Sequence, residues 1–290
     1  MATTRLMIMA AGLASRMKKI PEVGHIPPAL REQALLRPKS MIGVGQNGRP
    51  FLEYVLVEAF FAGINEVLFI LNPKDEVTQP HVQTLEANGT FPNMAFRFAR
   101  QHTPPDRAKP LGTADAVLQA LEQTPDWQSQ RFLVCNADNL YSRYVLNLLA
   151  TSSYPNLLPS YVFDALALPE ERYQNLAIVK TDKEGFLTDL IEKPDGEAAK
   201  QYRLEGFGVS MNVYALFAPD IWPFLKAVPF SPERNEKELP TAIRLLAHTK
   251  PRSVFTLPVA ESVPDLTGME DLLVVREKLA AFSTSSLPAT

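Results

Sequence analysis

An α/β fold, a largely parallel sheet with helices on both faces, is what this sequence predicts, and three observations carry that expectation. Short apolar runs of strand length alternate with segments of helical length through the first half of the chain. The runs are apolar enough to be buried on both sides, as strands of a parallel sheet are. Two of them stop abruptly in small or turn-forming residues, Ala10-Ala11-Gly12 after the first and Asn136-Ala137-Asp138 after the fourth.

Taken in order, Leu6–Met9 reads as the first strand. Residues 51–62 have helical length and end at Gly63, a C-cap glycine. Glu66–Leu71 is the second strand, residues 75–88 a further helix, and Met94–Ala99 the third strand. Gly112–Gln123 opens at a glycine and carries Ala116, Val117, Ala120 and Leu121 at helical spacing. Arg131–Cys135 is the fourth strand. The second half changes character: Asn156–Phe163, Asn175–Lys180 and Phe186–Glu192 read as strands with short connections, the last two joined by a turn at Asp182–Gly185. Phe207–Leu216 reads as one further strand, and residues 235–247 and 267–281 as helices. Residues 283–290 are small and polar, an expected flexible tail.

Composition narrows the function classes. The chain has 290 residues, 46% hydrophobic and 21% charged, which excludes a disordered or fibrous protein. A net charge of −3 argues against nucleic acid as a partner. Cys135 is the single cysteine, so neither an internal disulfide nor a cysteine zinc site is expected, and a reducing cytoplasm fits. Leu6–Ala11 is too short to cross a membrane and lacks the flanks of a signal peptide. Proline, with 25 copies, gathers in connecting segments such as Pro21–Pro38, Pro104–Pro110 and Pro229–Pro240.

Six motifs carry chemistry. Ala10, Ala11, Gly12, Leu13, Ala14, Ser15 and Arg16 follow the first strand. A loop of small residues lets backbone N–H groups approach phosphate, and Arg16 adds a planar fork of donors. The same segment also fits a plain strand-to-helix turn, and it has neither the remaining glycines of a Rossmann fingerprint nor the Gly-Lys-Ser/Thr of a P-loop. Lys39, after Pro38, is placed to reach an α-phosphate or simply to be solvated. Gly112 and Thr113 stand where a helix begins, suited to an anion or a nucleobase edge, or to capping alone. Asp138 stands just past a buried strand, at the edge where α/β sheets bind ligands, and a carboxylate there suits Mg²⁺ as well as a turn. Glu192-Lys193 before Pro194 fits a polar substrate or a surface turn. Asp265 precedes a helical segment and on local grounds reads as its N-cap.

In order, these segments and their neighbours read AAGLASRM, RPKSM, LGTADAV, LVCNADNLY, IEKP, GVSMNVYAL and PDLTG, and that succession resembles the sugar nucleotidyltransferases, the nucleoside-diphosphate-sugar pyrophosphorylases. The resemblance spans roughly residues 5–280. It implies a Rossmann-like, mostly parallel sheet with helices on both faces and a smaller β-rich sugar-binding part. One nucleotidyltransferase domain is expected over residues 1–282, its nucleotide-binding part about 1–150 and its sugar-binding and second-metal part about 151–282. No β-helix extension is expected. The resemblance implies Arg16, Lys39 and Lys193 as the catalytic cations, and residues Ala10 to Arg16, Gln101, Gly112 and Thr113 as the nucleotide site. It further implies Glu192, Lys193 and Asn212 as the sugar site, and Asp138 and Asp265 as Mg²⁺ ligands. Ala14, Ser15 and Ala137 depart from the family pattern, which has Gly, Thr and Gly there, and the stretch from Met17 to Pro38 is longer than usual.

The reaction so implied is attack of a sugar 1-phosphate oxygen on the α-phosphorus of a nucleoside triphosphate, with pyrophosphate leaving. A phosphorylated amino alcohol such as phosphocholine as acceptor, a non-catalytic sugar-nucleotide sensor, and a glycosyltransferase are the competing readings. A homo-oligomer is compatible with the sequence. The proline-rich stretch from Met17 to Pro38 joins the phosphate loop to Lys39; it is read either as a lid that closes over nucleotide or as a rigid loop with a short helix from Pro28 to Leu36.

Overall fold

The computed structural model describes residues 2–12, 17, 26–166, 170–232, 234–280 and 282, the side chains of Glu170 and Glu171 excepted. In chain order the elements are β1 (Arg5–Met9), α1 (Pro28–Leu36), α2 (Phe51–Phe61), β2 (Glu66–Leu71), α3 (Thr78–Ala87), β3 (Ala95–Arg100), α4 (Thr113–Gln123), β4 (Arg131–Asn136), α5 (Arg143–Thr151) and β5 (Asn156–Tyr161). They continue as β6 (Ala177–Thr181), β7 (Leu187–Ile191), α6 (Gly196–Leu204), β8 (Gly208–Ser210), β9 (Val213–Phe217), α7 (Ala218–Ala227), α8 (Leu239–Thr249), β10 (Val254–Val259) and α9 (Asp271–Ala280).

These strands form one sheet in the order β3-β2-β1-β4-β9-β5-β8-β6-β7, with β10 alongside β5. The β3-β2-β1-β4 core is parallel throughout. Antiparallel β9 joins it to β5, which runs parallel to β10, and the antiparallel β8-β6-β7 extension forms the β-rich part. Helices cover both faces, and the alternation of side chains along a strand divides the core accordingly. Leu6 and Ile8 of β1 pack in one cluster with α2, α5 and α9, through Leu52, Leu149 and Leu272 among others. Met7, between them, points the other way into a cluster with α4, α7 and α8, through Val117, Ile221 and Ile243. Among the described residues no helix is long and apolar enough to cross a membrane.

One expectation is corrected and four elements are added. The run 207–216 is two strands: Asn212 takes a left-handed conformation (φ +58°) that ends β8, whose partners are β5 and β6, before β9 turns to pair with β4. Helices α5, α6 and α7 and strand β10 were not foreseen. Two of these carried a readable start signal: Ser142 caps α5 by accepting the Val145 N–H at 3.2 Å, and Asp195 caps α6 by accepting that of Ala198 at 2.8 Å. The short helix Pro28–Leu36 is present as α1, with Leu30 and Ala34 buried in the core; residues 18–25 lie outside the described residues, as does the tail 283–290. Strand β3 ends the sheet, and there two side-chain amides of α4 act as a substitute strand. Gln123 and Gln119 each accept a backbone N–H and donate to the carbonyl of the same residue, Arg100 and His102 respectively, at 2.8–3.1 Å.

Candidate functional site

The chain leaves β1 for β2 and β3 on one side, while β4 lies on the other. The carboxyl ends of β1 and β4 therefore flank a topological switch point, the place where open α/β sheets hold ligands. Ala10 and Ala137 stand there, their N–H groups bonded to Ile70 O at 2.9 Å and Met9 O at 3.1 Å. Ala11 and Gly12 follow; a Cβ on Gly12 would have no neighbour within 4 Å among the described residues. Leu13, Ala14, Ser15 and Arg16 lie outside the described residues.

A first cluster forms around Asp138. Lys39, carried by a single 3-10 turn after Pro38, sets its Nζ 3.2 Å from Asp138 Oδ2, across 99 residues of sequence. The segment 263–267 is stitched to the same loop: Leu140 N–H to Pro264 O and Leu266 N–H to Asp138 O, both at 2.9 Å, with Asn139 bridging Asp265. Asp265 is thereby set beside Asp138. Burial, and then the negative charge of Asp138, raise the Asp265 carboxyl above the usual carboxylate range, against the hydrogen bond it accepts from the Thr267 hydroxyl. The expectation that Asp265 caps a helix is corrected: α9 begins at Asp271, and the carboxylate that accepts the Gly268 N–H is that of Asp271. No group of three or more His, Cys, Asp or Glu side chains converges on a metal-sized point among the described residues.

A second cluster lies at the start of α4. Gly112 sits at φ +121°, and a Cβ there would fall 2.5 Å from the backbone oxygen of Lys237. The Gly112 carbonyl accepts from Gln101 Nε2 at 2.8 Å. The Thr113 hydroxyl accepts the Leu239 N–H at 2.8 Å, and Ala114 N–H reaches Lys237 O at 2.9 Å, so this corner is braced by residues 237–239.

The third cluster lies at the end of β7. Glu192 Oε1 is buried with no hydrogen-bond partner among the described residues, and Lys193 turns the chain at φ +42°. Burial, and then the nearby Glu238, push the Glu192 carboxyl up to about 7, while Lys193 and Arg234 pull it back. Asn212 faces this region: its Oδ1 accepts from the Tyr214 hydroxyl at 3.2 Å, which also shares a 2.9 Å hydrogen bond with Ser210. Tyr214 is raised above its ordinary value by burial, with Glu192 adding to the effect.

The clusters are contiguous. Tyr141, three residues past Asp138, donates to Met211 O at 2.6 Å beside Asn212. The residue pair Lys237-Glu238 connects the Gly112 corner to Glu192. The sequence reading did not single out Asp115, Tyr214 or Glu238. Asp115 had a signal, a carboxylate between Ala114 and Ala116 at the buried start of α4; Glu238 had none, since its relation to Glu192 exists only through space.

A family model described as nucleotidyl transferase matches residues 31–256, beginning after the Ala10–Arg16 loop and ending before Asp265. Among curated proteins the chain is similar to the low-salt glycan biosynthesis nucleotidyltransferase Agl11 of Haloferax volcanii, 27% identical over 241 residues, which is 82% of this chain and 56% of that protein. The chain thus spans little more than half the length of this relative.

Proposed function

The chain belongs to the nucleotidyl transferase family, and from that premise we propose that it transfers a nucleoside monophosphate from a nucleoside triphosphate to a sugar 1-phosphate, releasing pyrophosphate, with Mg²⁺ as cofactor. The observation that carries this reading is the convergence of Lys39, Asp138 and Asp265 at the switch point of the sheet, with the polar cluster of Glu192, Asn212 and Tyr214 contiguous to it.

The residues fit a divalent cation. Asp138 and Asp265 lie close enough to repel, Lys39 pairs with Asp138 at 3.2 Å, and the ionisation of Asp265 is disfavoured in the free protein. A cation relieves that repulsion, and one or two carboxylates plus substrate phosphates are the usual way in which Mg²⁺ is held. When bound by Asp138 and Asp265, it would supply charge neutralisation at the α-phosphate.

The remaining roles fall to the chain's own groups. Arg16 and Lys39 hold the triphosphate, and Ala11 to Ser15 approach it with backbone N–H groups, the N–H of Ala10 being committed to Ile70 O. Gln101 and Gly112 bind the base, with Thr113 bracing that corner. Lys193 holds the acceptor phosphate, and Glu192 and Asn212 bind sugar hydroxyls. The acceptor phosphate has a second pKa of about 6 and is already an anion at neutral pH, so orientation rather than proton abstraction limits the attack. In this reading residues 1–150 serve the nucleotide and 151–282 the acceptor and second carboxylate. Buried Cys135 suits a reducing compartment, and the cytoplasm is the proposed setting.

Pyrophosphate release across the common nucleoside triphosphates, each with a panel of sugar 1-phosphates and with phosphocholine, tests the proposal. Turnover with at least one sugar 1-phosphate is expected. Release with phosphocholine alone would reassign the acceptor, and release with none would refute the reading.

A further inference from the structure

Gln101 follows β3 and is 4% exposed. Its Nε2 donates to Gly112 O at 2.8 Å and to Asp115 Oδ2 at 3.0 Å. A carbonyl and a carboxylate are acceptors only, so the amide has one orientation, nitrogen toward α4 and Oε1 away from it. Asp115 is itself buried, in the first turn of α4, where the helix end favours a negative charge. The same Oδ2 accepts a second hydrogen bond, from Gln119 Nε2 at 2.9 Å. Gln119 is held in turn by the backbone of His102, accepting its N–H at 2.8 Å and donating to its carbonyl at 3.1 Å. A continuous chain of hydrogen bonds therefore runs from His102 through Gln119 and Asp115 to Gln101 and Gly112. Packing alone does not call for a carboxylate here, since an apolar side chain would fill the same space between Ala114 and Ala116.

We propose that Asp115 is a positioning residue for base recognition: it locks the Gln101 amide with Nε2 on Gly112 and α4, so that Oε1 is the atom presented to the nucleobase. This rests on the reading of Gln101 and Gly112 as the base site. Every nucleobase carries a donor next to an acceptor on its pairing edge, and a fixed carbonyl oxygen takes the donor without choosing among bases. An untethered amide would turn its N–H₂ toward that donor for part of the time, and the ordering would have to be done by each nucleotide on binding. Asp115 therefore acts on nucleotide affinity, leaving the acceptor site and the chemical step alone.

Calorimetry with the preferred nucleoside triphosphate and with inorganic tripolyphosphate, both with Mg²⁺, tests this on the wild type, Asp115→Leu and Asp115→Asn. Asp115→Leu is expected to weaken nucleoside triphosphate binding about three- to tenfold, the loss of one well-formed hydrogen bond. Its affinity for tripolyphosphate and its KM for the acceptor should stay at the wild-type level. Asp115→Asn keeps an acceptor oxygen and should recover most of the loss. If Asp115→Leu does not fold, Gln119→Leu should show the same pattern more weakly. Unchanged nucleotide binding in the folded variant, or equal weakening of tripolyphosphate, overturns the positioning role alone. A wild type that binds no nucleoside triphosphate overturns the nucleotidyl-transfer reading and this role with it.

Discussion

Replacing Glu192 by Gln is expected to stabilise the free protein at high pH while weakening acceptor binding. Burial, and then Glu238, raise this carboxyl from 4.5 to about 7 in the folded chain. In the unfolded chain it ionises at its ordinary value. As pH rises from 4.5 to 7 the unfolded state gives up the proton while the folded state still holds it, so stability falls through this window and levels off above it. The difference, 7 minus 4.5 at about 1.4 kcal/mol per pH unit, sets a ceiling of about 3.5 kcal/mol on the penalty. Glutamine has the same shape and leaves the same atom position without a partner, but it carries no charge to desolvate. Urea denaturation of the wild type and Glu192→Gln at pH 4.5 and pH 8 separates these effects. The variant should match the wild type closely at pH 4.5 and exceed it by up to about 3.5 kcal/mol at pH 8. An equal difference at both pH values, or a less stable variant at pH 8, would refute the reasoning. In the same protein the KM for the sugar 1-phosphate should rise.

Asp138→Asn and Asp265→Asn should each lower kcat by at least about a hundredfold in Mg²⁺-titrated pyrophosphate release, the loss of several kcal/mol of charge stabilisation. Thermal melting of Asp265→Asn should show no loss of stability, because the buried carboxyl repelled by Asp138 is gone. Gly112→Ala places a methyl group 2.5 Å from Lys237 O at a φ of +121°, and should cost about 2 kcal/mol or more in urea denaturation and raise the KM for the triphosphate. Arg131 donates to the carbonyls of Leu149, Ala150 and Pro155 at the end of α5; Arg131→Met leaves these without that donor and should cost roughly 2–3 kcal/mol, with activity per folded molecule unchanged. Asn212→Ala puts a left-handed position under strain worth roughly 1 kcal/mol, and Asn212→Gly should remove most of that cost.

Strands β1, β2 and β4 were legible because both their faces are buried, so the sequence shows unbroken apolar runs with nothing to mimic them. Helix α4 was legible from Ala116, Val117, Ala120 and Leu121, which make one buried stripe. Asp138 could be singled out for the same local reason, since a carboxylate directly after a buried strand has few places to go but the sheet edge. The break at Asn212 was not legible: the residues on either side suit a strand, and only the change of pairing partner shows that there are two. Strand β10 pairs with β5 about a hundred residues away and contains a proline, so its short run carries little signal of its own.

What the sequence by itself determined, then, is the alternation of buried strands and amphipathic helices and the residue types waiting at their ends, because side-chain period and backbone propensity act over a few residues. Only the tertiary structure decided that Lys39 lies 3.2 Å from Asp138, that Asp265 meets Asp138 rather than capping α9, and that the Glu192 carboxyl is desolvated near Glu238. Those relations depend on desolvation and on charges brought together across 46 to 127 positions of chain, quantities that exist only once the two core clusters have closed on the sheet.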